Sequence, residues 1–386
     1  MVEHKSSPLQ SLFTHSDPAN AHWTASDYAS LSRRGFMGNP IVYRCIRLIS
    51  ETAAAVPMLV YDGAQEIDDH PLLSLLRRPN ERQSGKEFME TLIGHLLVSG
   101  NAYLELIRLE DEPRELHLLR PDRVKVVADS SGWVQGYDYQ ANGQHQVHSV
   151  VPGLASPVLH LTLFHPLDDH YGFAPLEAAL MALDTHNAAS QWNKALLDNS
   201  ARPSGALVYA VGSSEHLSDD QFARLKSELE DGYTGAKSAG RPLLLEGGLD
   251  WKAMGYSPKD MDFVDGRHAA ARDIALAFGV PPMLLGIPGD NTYSNYQEAN
   301  RAFTRQTLLP MINRTLDAIN HWFRSDFGDD VQLRIDDDRI EGLSMEREAF
   351  WSRINGADFL SQSEKREAVG YSPDRPESEN DEEALS

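Results

Sequence analysis

Between Lys259 and Asn300 the chain reads as a short small-residue helix, a hard stop at Gly279-Val280-Pro281-Pro282, an irregular polar loop and then a long helix. No other stretch restricts the fold as much. From Asp262 to Phe278 the apolar residues Phe263, Ala270, Ile274 and Ala277 recur at helical spacing, while Asp265, His268 and Arg272 fall on the opposite face. Such a helix, about 25 Å long at 1.5 Å per residue, packs along one side and stays wet along the other. Ala269, Ala270, Ala271, Ala275 and Ala277 permit close approach of a neighbouring helix, which suits a wall of repeated helices. Gly279 is placed to cap the helix, and the two prolines beyond cannot continue it.

Around this segment the pattern is α+β. Residues 1–38 are polar and are predicted to be a flexible arm. Asn39 then caps a helix with Pro40 at its first position, and Val42, Cys45, Ile46, Ile49 and Ala53 fall within a wide apolar stripe that Pro57 ends. Ser84 and Glu87 form a capping box ahead of Phe88, Leu92, Ile93 and Leu96. Strands are predicted at 58–62, 102–109, 115–119, 124–128, 133–139 and 158–163. A helix over 175–199 carries Leu176, Leu180 and Leu183 on one side and Ala189, Trp192 and Leu196 roughly opposite, so its two halves are expected to touch different things. An insert at 203–256 holds strands near 206–211 and 242–246 and a helix begun by Ser218, with Asp219 and Asp220 at its positive end. A long helix from about Tyr296 carries Leu309, Ile312, Leu316, Ile319 and Phe323, and Pro310 is expected to bend it near Gln306. A last strand is expected at 331–335, two short helices separated at Gly356 across 344–371, and an acidic disordered tail over 373–386.

The chain has 386 residues, 41% of them hydrophobic and 24% charged, enough for a real core and more than one structural unit. Its net charge of −22 argues against a protein that grips nucleic acid, because phosphate neutralisation needs clustered Lys and Arg. Cys45 is the single cysteine, which rules out an internal disulfide and fits a core role in a reducing cytoplasm. No apolar run reaches the length of a membrane span or a signal peptide. No G-x-x-x-x-G-K-[ST], G-x-S-x-G, H-E-x-x-H or C-x-x-C motif occurs, so no catalytic residue, metal ligand or cofactor is assigned. His165, Asp168, Asp169 and His170 carry ligand types within six residues, but a turn beside Pro166 is the simpler reading. His117 and His160 sit in strand-like runs and read as hydrogen-bonded structural histidines.

The run Ala275-Leu276-Ala277-Phe278-Gly279-Val280-Pro281-Pro282-Met283-Leu284-Leu285-Gly286, followed by Asn291-Thr292-Tyr293-Ser294-Asn295, resembles the signature of the tailed-bacteriophage portal family, in the branch of long-tailed phages and gene transfer agents. Leu116-His117-Leu118-Leu119-Arg120-Pro121 with Val124 and Val126, His160, Gly172-Phe173-Ala174-Pro175-Leu176-Glu177-Ala178-Ala179 and Pro203-Ser204-Gly205 agree with it in the same order. The resemblance implies a wing at 39–174 and 296–335, stem helices at 175–202 and 257–279, a clip at 203–256, a tunnel loop region at 280–295 and a short crown-like region at 336–372. It implies a dodecameric ring at one capsid vertex, assembled in the bacterial cytoplasm. Double-stranded DNA would pass through it without sequence specificity, and the terminase large subunit, major capsid protein, scaffold and head-tail adaptor would dock on it. On that reading Asn291, Tyr293, Asn295 and Tyr296 face DNA. Asp265, His268 and Arg272 form the polar stem face, and Asp219, Asp220, Arg224 and Lys237 of the clip meet the motor. The alternatives are a non-channel minor capsid or adaptor protein, and a metal-dependent hydrolase built on the His165 to His170 cluster.

Overall fold

The computed structural model describes residues 23–63, 65–151, 153, 155–198, 205–209, 220, 249–253, 263–289 and 293–369. Helix α1 (Pro40–Ala55) begins where the Asn-Pro pair places it: Asn39 Oδ1 accepts from the amides of Ile41 and Val42 at 3.0 and 3.2 Å. Val42, Cys45, Ile46, Ile49 and Ala53 are buried along one side. Strand β1 (Met58–Asp62) follows, then β2 (Gln65–Ile67) and α2 (Pro71–Arg77), whose four leucines, Leu72, Leu73, Leu75 and Leu76, are all buried. Helix α3 (Gly85–Ser99) starts on the expected capping box. Ser84 Oγ accepts from the Glu87 amide, and the Glu87 carboxylate accepts from the Ser84 amide and hydroxyl, two bonds that hold the carboxyl below its usual range.

Two antiparallel sheets come next. In one, β3 (Asn101–Leu109) lies between β4 (Glu112–Leu119) and β8 (Val158–Thr162). In the other, β6 (Val134–Ala141) lies between β5 (Val124–Ala128) and β7 (Gln144–Ser149). Two-residue loops close the β3-β4 and β6-β7 hairpins, with φ of 53° and 67° at Glu110-Asp111 and 52° and 78° at Asn142-Gly143, the left-handed pair that matches strand twist. Tyr103, Leu119, Val124, Val126, Tyr137 and Val158 form the apolar contact between the sheets. Gly100 and Gly172 cross so closely that a Cβ on Gly172 would lie 2.1 Å from the Gly100 carbonyl oxygen, which leaves room for no side chain.

Two helices (α4, Pro175–Ala178; α5, Leu180–Asp198) stand where one was expected, because the backbone kinks at Ala179. Up to Ala189 their inward face does not switch sides, while Trp192 is half-buried and the side chain of Leu196 lies outside the described residues. Leu176, Ala179, Leu183, His186 and Ala189 are all buried in one continuous stripe, and the polar residue His186 within it conceals the pattern in the sequence. Strands β9 (Gly205–Tyr209) and β10 (Leu249–Ala253) pair antiparallel; the strand expected at 242–246 and the helix from Ser218, except the helical and exposed Asp220, lie outside the described residues.

Helix α6 (Phe263–Ala277) is followed by α7 (Tyr293–Phe303), a π-helical turn at Thr304–Leu308 and α8 (Leu309–Phe327). The wide turn sits where Pro310 lacks the amide that would have bonded Gln306. Ile312, Leu316, Ile319 and Phe323 are buried as expected. Strand β11 (Val331–Ile335) pairs with β1 in the order β11-β1-β2, which joins the two ends of the described chain. Asn320 completes that edge, donating to the Leu333 carbonyl at 3.0 Å and accepting its amide at 2.8 Å. Helices α9 (Ser344–Asn355) and α10 (Gln362–Ala368) end the described region on either side of Gly356. One core joins α1, α2, α3, α6 and α8, with Phe88, Ile274 and Phe323 among its members.

The expectation of a flexible arm through residue 38 fails over its second half. Residues Tyr28–Phe36 are helical, Leu31 is fully buried, and Thr24 donates its amide to Asp184 of α5 at 2.8 Å. Residues 1–22 lie outside the described residues. The same region ends in a polar hub. Asn39 caps α1 with its oxygen and donates its Nδ2 to His186 Nδ1 at 3.0 Å and to Asn187 Oδ1 at 2.9 Å, and Asn187 donates to the Arg34 carbonyl at 3.1 Å. Burial, then Arg267 and His268, lower the pKa of His186 and keep the ring neutral to accept. Asn39→Ala removes a cap and leaves a buried acceptor unpaired, so it is expected to lower stability by about 2–3 kcal/mol in chemical denaturation. Asn39→Asp, which can cap but not donate, is expected to recover only part of that loss.

Candidate functional site

Helix α6 buries Ala270, Ala271, Ile274 and Ala275 and turns Asp265, Ala269, Arg272, Asp273 and Leu276 outward, with His268 half-buried at the edge. It packs along α5. Its end follows from Gly279: with φ of +65°, the Val280 amide reaches the Ala275 carbonyl and the Gly279 amide reaches that of Leu276, both at 2.9 Å. These two bonds satisfy carbonyls that a helix end otherwise leaves open. Thr307, presented by the π turn, donates its hydroxyl to the Gly279 carbonyl at 2.6 Å.

From there the chain makes a 3-10 turn at Pro282–Leu285, reverses at Gly286 and lays Ile287 against Ala271 and Ala275. Arg272 Nη2 donates to the Pro288 carbonyl. Of the residues expected to line this region, Asn295 and Tyr296 lie on the first turns of α7, with Ser294 to Glu298 all exposed. The helix starts at Tyr293, so Tyr293, Ser294 and Asn295 are helical, where a loop to Asn295 was expected. Asn291 lies outside the described residues, as do Asp219, Arg224 and Lys237. Arg272 is brought to the loop base, whereas Asp265 stands two turns away near the opposite end of α6.

The other candidate side chains hold the fold together. His160 stacks on Tyr103 with ring centroids 4.1 Å apart and bonds Asn101 Oδ1 through Nε2 at 3.0 Å, and burial pushes its pKa down to about 3. His117 Nε2 lies 2.7 Å from Glu115. In the His165 to His170 turn, Asp168 Oδ1 accepts the amides of His170 and Tyr171 at 2.8 and 2.9 Å, and His165 Nδ1 accepts that of Leu167 at 3.0 Å. These atoms are spent on the turn. A cleft of about 1530 Å³ separates α8 and β11 from α9 and α10. Arg301 and Arg305 meet Glu346 across it at 2.5 and 3.1 Å and Arg324 grips Asp329, which makes its wall electrically mixed.

Thr307, Gly289 and the Asn39–His186 pair carry geometry that sequence reasoning missed. Only Asn39 had a local signal, as a helix cap; the others depend on chain segments meeting in space.

The phage portal protein family matches residues 40–370. The portal protein of Enterobacteria phage HK97 is 25% identical over 367 residues, covering 92% of this chain and 84% of that one. Among solved structures, a chain from the neck of an empty gene transfer agent particle, computed with C6 symmetry, superposes with a TM-score of 0.73 at 51% identity, covering 92% of this chain and 96% of that one. A chain from the neck of the native particle, computed with C12 symmetry, gives 0.71 at 50% identity over 91% and 95%. With the cap at Gly279, the exposed α7 and the β11-β1 closure all falling inside the matched span, the chain belongs to the phage portal protein family.

Proposed function

We propose that the chain is the subunit of a ring at one capsid vertex, through which double-stranded DNA enters and leaves the head and onto which a packaging motor and a head-tail connector dock. The observation that carries this reading is the near full-length likeness, at about half identity, to chains in neck particles computed with twelvefold symmetry. On this reading α5 and α6 are the stem, 203–256 is the clip that meets the terminase, and 39–174 with 296–335 form the wing. On this reading Asn295 and Tyr296, exposed on the first turns of α7, face the channel, where amide and phenol groups touch DNA without the electrostatic hold of a basic wall. The net charge of −22 favours passage over capture. We assign the chain no catalytic step; the energy for transport is the motor's.

A heterologous interface closes into a ring when its rotation divides a full turn. Purified protein is therefore expected to give closed rings in negative-stain images and a mass near twelve subunits in native mass spectrometry. Monomer or dimer alone, across concentrations and with scaffold present, would refute the assignment.

A further inference from the structure

Arg272 lies on the outward side of α6, where a cation would be offered to a passing polyanion. Its guanidinium is used otherwise. Nη2 donates to the carbonyl of Pro288, sixteen residues further on, and Gly289 comes so close that a Cβ there would lie 2.9 Å from Nη2. Ile287, 5% exposed, sits on Ala271 and Ala275 of the same helix, and its amide donates to the Pro282 carbonyl at 3.2 Å. At the other end of the connection, Thr307 fastens Gly279. The segment between α6 and residue 289 is therefore tied at both ends, to the π turn through Gly279 and to α6 through Ile287 and Pro288.

We propose that Arg272 is a positioning residue: it latches residues 286–289 onto α6, so that the chain is delivered toward α7 from a fixed point and Asn295 and Tyr296 take their place from the stem helix. The proposal rests on reading α6 and α7 as channel elements. Arginine suits the task because it is always charged and its rigid fork can hold a carbonyl while other donors stay hydrated. Gly289 suits it because a Cβ there would crowd the guanidinium tip at 2.9 Å and make it shift.

The test uses full-length protein assembled into rings and three variants. Arg272→Ala removes the latch. Gly289→Ala keeps the arginine and its charge but puts a methyl 2.9 Å from Nη2, which crowds the latch and makes the flexible guanidinium shift. Arg272→Lys keeps the charge and one compact donor group. Hydrogen exchange of peptides covering 282–289 is expected to quicken by on the order of tenfold in Arg272→Ala and by less in the other two, with the amides of α8 unchanged. Packaged DNA per particle is expected to fall in the same order.

Unchanged exchange in Arg272→Ala overturns the latch whatever the DNA does. Faster exchange with packaging equal to the parent overturns the positioning role. A packaging defect in Arg272→Ala that Arg272→Lys lacks, with exchange equally fast in both, assigns the effect to charge and overturns it too. Asn295→Ala with Tyr296→Ala separates this proposal from the reading beneath it. If that pair impairs packaging and the latch variants do not, the latch alone is wrong; if neither set does, the channel reading has failed.

Discussion

Rings in which Asn291 and Asn295 are replaced by lysine are expected to assemble normally and to drag on DNA in a salt-dependent way. Asn295 is exposed on the first turn of α7, so the change removes little apolar contact and leaves the fold intact. A ring multiplies the substitution by its subunit number, and each phosphate engaged steepens the dependence of log affinity on log salt by about 0.9. With about six contacts made at once, retention of DNA between 50 and 200 mM salt changes by about a thousandfold. Packaging should slow at low salt and recover as salt is raised within the motor's tolerance. Translocation rates matching the parent at every salt concentration, in rings of normal size, would place α7 away from the DNA.

Removing the insert is the second large effect. Gly205 pairs with Ala253 at the foot of the β9-β10 ladder, and such partners lie about 5 Å apart, so a short Gly-Ser linker can replace everything between them without stretching the chain. The core joining α1, α2, α3, α6 and α8 includes no residue of this insert among its described members, and it should survive. Terminase binding and DNA packaging are expected to fall to background while the remaining protein keeps its unfolding transition. Motor binding at parental affinity in the shortened protein would show that the docking surface lies elsewhere.

What could be read from the sequence was mostly local chemistry. Asn39, the Ser84–Glu87 box and Gly279 each announce a helix end through bonds to their own neighbours, and each ends a helix in the structure. The π turn was foreshadowed by Pro310, whose missing amide acts four residues back. Helix α2 was not anticipated because, although its four leucines are buried and Pro71, Ser74 and Arg77 are exposed at three-residue steps, seven residues are too short a window for that period to stand out. The packed helical stretch at Tyr28–Phe36 was hidden among serines and arginines, because its anchors, Thr24 on Asp184 of α5 and Tyr28 on His95 of α3, meet partners far along the chain. Arg272 shows the same limit at the candidate site. Helical spacing gives the face on which it stands, but the loop that folds back to meet it is a tertiary event.

The state of Cys45 has a practical consequence. Its side chain is fully enclosed in the core beside Val42 and Ile49, burial pushes the thiol's pKa up to about 12, and the chain holds no second cysteine. Thiol reagents act on the thiolate and need access to it, so the protein is already a silent background for labelling. A cysteine placed at Tyr296, which is half exposed, would take a dye alone, once per subunit. Dye-to-dye distances around an assembled particle would then report how wide the passage is at that level, with and without DNA inside.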